Sequence, residues 1–193
     1  FSAHATSPDR FIIKRELARG GLGTVFVAED QQLPRDVALK EIPPERANNP
    51  ELARRFVLEA EITGALEHPG IVPIYAMGAD REGKPFYAMR LIRGRSYRQA
   101  IDEFYASRQD NVASSSERLA FRRLLTPFTT VCQAIQYAHD RGVLHRDIKP
   151  DNIMLGPHNE TVVVDWGIAK LMNVPDSKDP ANRNAQDAES VKK

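Results

Sequence analysis

The chain is 193 residues long, and at ~150 residues per domain that length accommodates one domain, or two lobes of one. Its 41% hydrophobic and 27% charged residues are the composition of a soluble globular protein and exclude wholesale disorder. The 27 lysines and arginines nearly cancel the 26 aspartates and glutamates, so a net charge of +1 supplies no field that would gather nucleic acid or an anionic membrane surface.

Residues 1–10 are polar, end on Ser7-Pro8-Asp9 and read as a lead-in. The first residue is Phe1 rather than methionine, which suggests a piece of a longer polypeptide whose other parts are free to carry a membrane segment. No charged-then-apolar leader opens it. Phe11 to Leu17 and Thr24 to Ala28 are β-like runs joined by Ala18-Arg19-Gly20-Gly21-Leu22-Gly23, the pattern of a hairpin. Asp36 to Ile42 is a third strand, closed by Pro43-Pro44. Asn49-Pro50-Glu51 starts a helix, with Asn as cap, Pro in the first turn and an acid near the positive end. His68-Pro69-Gly70 stops it, at Glu67 by this reading. Leu52, Phe56, Thr63 and Leu66 form its buried stripe. Glu59 shares that stripe, and a carboxylate facing inward demands a cationic partner. Strands from Ile71 to Met77 and from Pro85 to Leu91 flank a turn at Asp80 to Gly83.

From Ser96 the pattern turns helical, broken by a polar loop from Asp110 to Ser116. Glu117 to Arg141 is a long helical stretch, kinked or restarted at Pro127 and ended by Gly142. Ile153 to Leu155 and Thr161 to Val164 are short strands around Gly156-Pro157. Asn173 to Lys193 has almost no large apolar residues and reads as a mobile tail. No apolar run approaches the ~20 residues of a membrane span. The single cysteine, Cys132, allows no internal disulfide and suits a reducing compartment, the cytoplasm. With Val131 and Ile135 nearby it is expected in the core. His139 reads as a packed histidine, no His or Cys cluster has zinc spacing, and Arg118, Arg122 and Arg123 read as a solvated helix face.

The sharpest chemical signal is His145-Arg146-Asp147-Ile148-Lys149-Pro150-Asp151-Asn152, which reproduces the catalytic-loop pattern of protein kinases. Phosphoryl transfer rests on positioning and charge neutralisation, so a site needs a base, a cation near the phosphates and metal ligands. In that pattern Asp147 accepts the proton of the substrate hydroxyl, Lys149 reaches the transferring phosphate and Asn152 ligates magnesium. Pro150 keeps the turn between them extended. Asp165-Trp166-Gly167 follows the β-run Val162 to Val164, and a carboxylate released by glycine into a turn suits a magnesium ligand for phosphate oxygens. In Val37-Ala38-Leu39-Lys40, alternation puts Ala38 and Lys40 on one face. Small Ala38 leaves room there for a flat adenine, and Lys40 reaches its phosphates. Glu59 needs a cation and Lys40 an anion, so the two are expected to pair. Gly20, Gly21 and Gly23 let backbone amides approach phosphates. Ala18 stands at the first specified position of G-x-G-x-x-G-x-V, and Val25 at the last.

In this order the motifs resemble the protein kinase family, specifically the eukaryotic-type serine/threonine kinases of bacteria, over Phe11 to Leu171. Asp-Trp-Gly stands where Asp-Phe-Gly is commoner. The resemblance implies an α+β, two-lobed fold. Residues 11–91 would form an N-lobe of five antiparallel strands and one helix, residues 92–172 a partial, mainly helical C-lobe, and residues 173–193 an activation-segment tail. It implies ATP and Mg2+ in the cleft, with Val25, Ala38 and Met154 around the adenine, a hinge at Arg90-Leu91-Ile92 and Met89 at the back of the pocket. The implied reaction is transfer of the γ-phosphoryl group to a serine or threonine hydroxyl of a protein substrate, an acceptor that Lys149 favours over tyrosine. Arg146 implies an activation-loop phosphate, with Ser177 and Ser190 as candidate hydroxyls. No Ala-Pro-Glu follows Asp165, so the 193 residues alone are expected to transfer little or no phosphate and to expose apolar surface. Two rival classes are a pseudokinase serving as a nucleotide-gated scaffold and a small-molecule phosphotransferase of related fold.

Overall fold

Alternating apolar positions build the first layer. The structure, a computed structural model, describes residues 9–20, 23–107, 115–167 and 170–171. In it β1 (Phe11–Arg19), β2 (Thr24–Asp30), β3 (Arg35–Glu41), β4 (Ile74–Ala79) and β5 (Pro85–Arg90) form one antiparallel sheet in the order β1-β2-β3-β5-β4. Val37 and Leu39 pack with Ala28, Phe86 and Ala88 on one face. The opposite face carries Ala38 and Lys40, whose partners across β5 are Met89 and Tyr87. At the open end of the first hairpin, Arg10 donates two bonds of 2.9 and 2.8 Å to the fully buried Asp30. That guanidinium, helped by the backbone N–H groups of Gln32 and Leu33, outweighs burial and holds the Asp30 carboxyl down at about 2.

After a single helical turn, α1 (Pro44–Ala47), comes α2 (Pro50–Gly64), which starts where Asn49 accepts the N–H groups of Glu51 and Leu52. Phe56 and Ala60 pack on Ile42 and Tyr87 and fix α2 to the sheet. The helix ends three residues short of Glu67, and the strand expected from Ile71 begins only at Ile74. The intervening chain bonds elsewhere: Ile71 bridges Val163 in parallel, Val72 N–H donates to Val163 O at 3.2 Å, and Val163 N–H donates to Gly70 O at 2.8 Å. Glu67 N–H donates to the Tyr137 hydroxyl at 3.1 Å. Long-range partners therefore set both boundaries.

The second lobe contains β6 (Arg95–Ser96), α3 (Tyr97–Ala106), α4 (Ser115–Asp140), β7 (Val143–Leu144), a 3₁₀ turn (Pro150–Asn152), β8 (Ile153–Leu155), β9 (Thr161–Val163) and β10 (Lys170–Leu171). Strands β6, β8 and β9 form a small sheet, and β7 pairs with β10. A reciprocal Ser96/Gln99 box caps α3. α4 runs unbroken through Pro127; the carbonyl that proline leaves without an N–H partner belongs to Arg123, an exposed residue open to water. Its buried stripe is Val131, Ala134, Ile135 and Ala138, at i, i+3, i+4 and i+7. Cys132 falls off that stripe and is exposed, which corrects its assignment to the core. Leu119, Phe121, Leu125 and Phe128 of α4 are exposed as well. Ile62 and Leu66, the α4 stripe, Ile71, Ile153, Val163 and Trp166 form one apolar cluster joining the two lobes. No helix among the described residues is long and apolar enough to cross a membrane. The expectations for residues 1–8, for Gly21 and for the tail with Ser177 and Ser190 lie outside the described residues.

Candidate active site

Register brings the first group of side chains together. Lys40 is buried on the α2-facing side of β3, and its ammonium donates to Glu59 Oε1 at 2.7 Å. Across the cleft the same ammonium lies 3.4 Å from Oδ1 of Asp165, a residue 125 positions away in the chain. Glu59 Oε1 takes a second bond, from the buried Tyr87 hydroxyl at 2.8 Å. Burial first, and then the negative charge of Glu59, push the Tyr87 phenol well above its ordinary range, so it stays a donor. Oε2 of Glu59 is buried without a protein partner among the described residues.

The loop from His145 to Asn152 is held from below. His145 is buried against the Trp166 ring at 4.5 Å between centroids. Its Nδ1 accepts the Asp147 N–H at 3.2 Å, which leaves the proton on Nε2 to donate to Val164 O at 3.1 Å. Burial lowers the His145 pKa and keeps this neutral tautomer in place. The N–H of Val164 in turn donates to Asn152 O at 2.9 Å. Both backbone groups of the residue preceding Asp165 are thus tied to the His145–Asn152 loop, and Asp165 is fixed relative to Asn152. Arg146 (φ 67°) and Asp165 (φ 59°) adopt the left-handed conformation that non-glycine residues avoid, each beside a residue of the candidate site. Lys149 is extended (φ −150°, ψ 159°), as the following Pro150 requires.

Above this support the polar groups meet. Lys149 Nζ donates to Asp147 Oδ2 at 2.6 Å, and Asn152 Nδ2 donates to Asp147 O at 2.9 Å and to Oδ2 at 3.0 Å. Chiefly through Lys149, these donors hold the Asp147 carboxyl below the ordinary carboxylate range. Both Asn152 bonds run through Nδ2, so Oδ1 is the atom that could meet an ion. The Asp165 side chain is 47% exposed while its Oδ1 touches Lys40, so the carboxylate remains open to solvent. An amide oxygen and an open carboxylate are hard donors, suited to Mg2+. Among the described residues no three His, Cys, Asp or Glu side chains converge into a closed cage. The pair therefore fits an ion that completes its shell with phosphate oxygens and water.

The nucleotide-facing expectations divide. Ala38 is buried, Val25 half-buried and Met89 half-buried; register makes Val25 and Lys40 cross-strand partners, as it does Ala38 and Met89. Gly20 N–H donates to Gly23 O at 2.9 Å, closing the glycine turn, and Ala18 is exposed in β1. A Cβ at Gly23 would lie 2.7 Å from Glu41 O and 3.3 Å from Lys40 Cγ, so only glycine lets this loop settle on Lys40. Beside the hinge is a cavity of about 600 Å3 lined by Leu17, Val27, Leu91, Ile92 and Gly94 and rimmed by Lys14, Arg15, Asp36 and Arg93. Of the residues predicted to line the nucleotide or its hinge it touches Leu91 and Ile92 and no others. Met154 is half-buried in β8, opposite Ser96. Arg90, at the end of β5, pairs at 2.6 Å with Glu160 in the β8–β9 turn and spans the hinge. Tyr87, His145 and Trp166 as supports were not singled out from sequence; the alternation that exposed Lys40 holds for Tyr87 too, once its register is known.

The protein kinase domain family matches residues 11–186. The chain is 41% identical over 162 residues to the serine/threonine-protein kinase PknD of Chlamydia muridarum, covering 83% of this chain and 17% of that protein. It is 35% identical over 165 residues to the PknD of Protochlamydia amoebophila (86% and 17%) and 39% identical over 171 residues to that of Chlamydia trachomatis serovar L2b (88% and 18%). The chain spans less than a fifth of the length of these relatives.

Proposed function

The chain belongs to the protein kinase family, and from that premise we propose that it is the ATP- and Mg2+-dependent catalytic part of a serine/threonine protein kinase, with its N-lobe over residues 11–91 and a partial C-lobe over 92–172. The observation that carries the reading is the contact of Lys40 with Glu59 on one side and Asp165 on the other, next to a loop that presents Asp147 and Asn152. Lys40, steered by Glu59, is suited to grip the α- and β-phosphates of ATP. Asn152 Oδ1 and Asp165 would hold Mg2+, which neutralises charge on the phosphate oxygens as it moves to the leaving group. Asp147, kept ionised by Lys149, orients the acceptor hydroxyl and takes its proton. A bond forms between that oxygen and the γ-phosphorus, the bond to the bridging oxygen breaks, and ADP departs. Lys149 sits where it can stabilise the transferred charge. The relatives named as serine/threonine kinases support a protein hydroxyl as acceptor.

The test is transfer of labelled γ-phosphate from Mg-ATP by the full-length protein to a panel of proteins, with small alcohols in parallel. Labelled serine or threonine that is lost in Asp165→Ala is the expected result. Labelled alcohols with unlabelled proteins would overturn it in favour of a small-molecule phosphotransferase. Nucleotide binding without transfer would mark a pseudokinase.

A further inference from the structure

The geometry points to Tyr87 as a positioning residue for phosphoryl transfer, a second donor that holds Glu59 against the sheet and through it holds Lys40 on the phosphates. The inference rests on the kinase reading above. It starts from register: β3 and β5 are antiparallel neighbours, and Lys40 and Tyr87 are cross-strand partners on the same face. Glu59 enters from α2 and places one oxygen, Oε1, between them, 2.7 Å from the ammonium and 2.8 Å from the phenol. Tyr87 is 3% exposed, its ring 5.2 Å from that of Phe56, one α2 turn before Glu59. The Lys40 ammonium lies 5.7 Å from the Tyr87 ring centroid. The phenol is sealed from solvent with Glu59 Oε1 as its acceptor, so an outward swing of α2 would leave the buried hydroxyl unsatisfied and the Lys40 ammonium with Asp165 alone, at 3.4 Å. Tyr87 also ties α2 to the strand that carries Met89 and continues into the hinge, so seating of a nucleotide at the hinge and placement of Glu59 share one rigid element.

Tyr87→Phe keeps the ring and removes the bond. In the full-length protein it should lower kcat about 10-fold, the scale of one hydrogen bond to a charged group, with KM for ATP changed less than 3-fold, because the adenine contacts are untouched. Glu59→Ala should lower kcat more, and Tyr87→Phe added to Glu59→Ala should lower it no further, because the phenol acts only through the Glu59 side chain. A purely structural tyrosine would instead give losses that multiply. Unchanged kcat in Tyr87→Phe, or multiplying losses in the pair, overturns the positioning role while leaving the kinase reading intact. No transfer by the unaltered protein overturns both.

Discussion

The two ends of the candidate site are built in opposite ways. At the Lys40 end the groups are buried, paired with one another and fixed by the register of β2, β3 and β5. At the Asp147 end the carboxylates are partly open to solvent, and their order comes from backbone bonds to His145 and Asn152 beneath them. Under the proposed function the contrast matches the tasks. A group that must hold one position gains from burial with its partner, whereas groups that exchange a proton or bind an ion must remain accessible. It also means that substitutions at the two ends should separate activity from stability.

The largest effect is expected at the open end. Asp165→Ala should reduce phosphotransfer by roughly 10³-fold while shifting the melting temperature by no more than ~2 °C, because a half-exposed carboxylate contributes little to folding. A large drop in melting temperature would erase the distinction between the ends. Lys40→Met should abolish transfer too, and here stability should follow: it strands the buried Glu59 carboxylate, a loss of about 3–5 kcal/mol, or roughly 10 °C. An unaltered unfolding midpoint would show that the pair is better hydrated than its burial indicates.

The Arg10–Asp30 pair sharpens the comparison, because Asp30 is buried too but sits at the opposite end of β2 from Val25, the cross-strand partner of Lys40. Since the Asp30 pKa is depressed, its contribution is present above the unfolded carboxylate value near 3.8 and is lost as pH falls toward about 2. Denaturation followed between pH 5 and pH 2 should show roughly 2 kcal/mol of acid-labile stability that Asp30→Asn removes, with kcat at neutral pH unchanged. The smallest effect belongs to Cys132→Ser, which should leave melting within ~0.5 kcal/mol because the thiol is exposed.

The sequence was most legible where chemistry and local structure coincide. His145 to Asn152 and Asp165 announce themselves as runs of rare residues, and the cost of an inward-facing Glu59 leads directly to a lysine partner. Strand alternation places Lys40 correctly because period 2 is local. Tyr87 escapes the same logic: it becomes a partner of Glu59 only through the β3–β5 register, a long-range property. The two-residue strands β6, β7 and β10 likewise exist only because a distant segment pairs with them. Ile71 misleads for that reason, its β-branched character serving a bridge to Val163 instead of β4. Cys132 is a failure of angle: one residue past Val131 is ~100° around the helix, enough to leave a narrow buried stripe.

Trp166 is the only tryptophan in the chain, and its indole packs at a tilt against His145 beneath the His145–Asn152 loop, next to the residue proposed to meet the metal. Within these 193 residues ultraviolet excitation therefore interrogates one spot. Emission should be blue-shifted at rest, and titrating Mg-ATP should perturb it in step with occupancy, giving an optical readout of this corner of the protein without any attached dye.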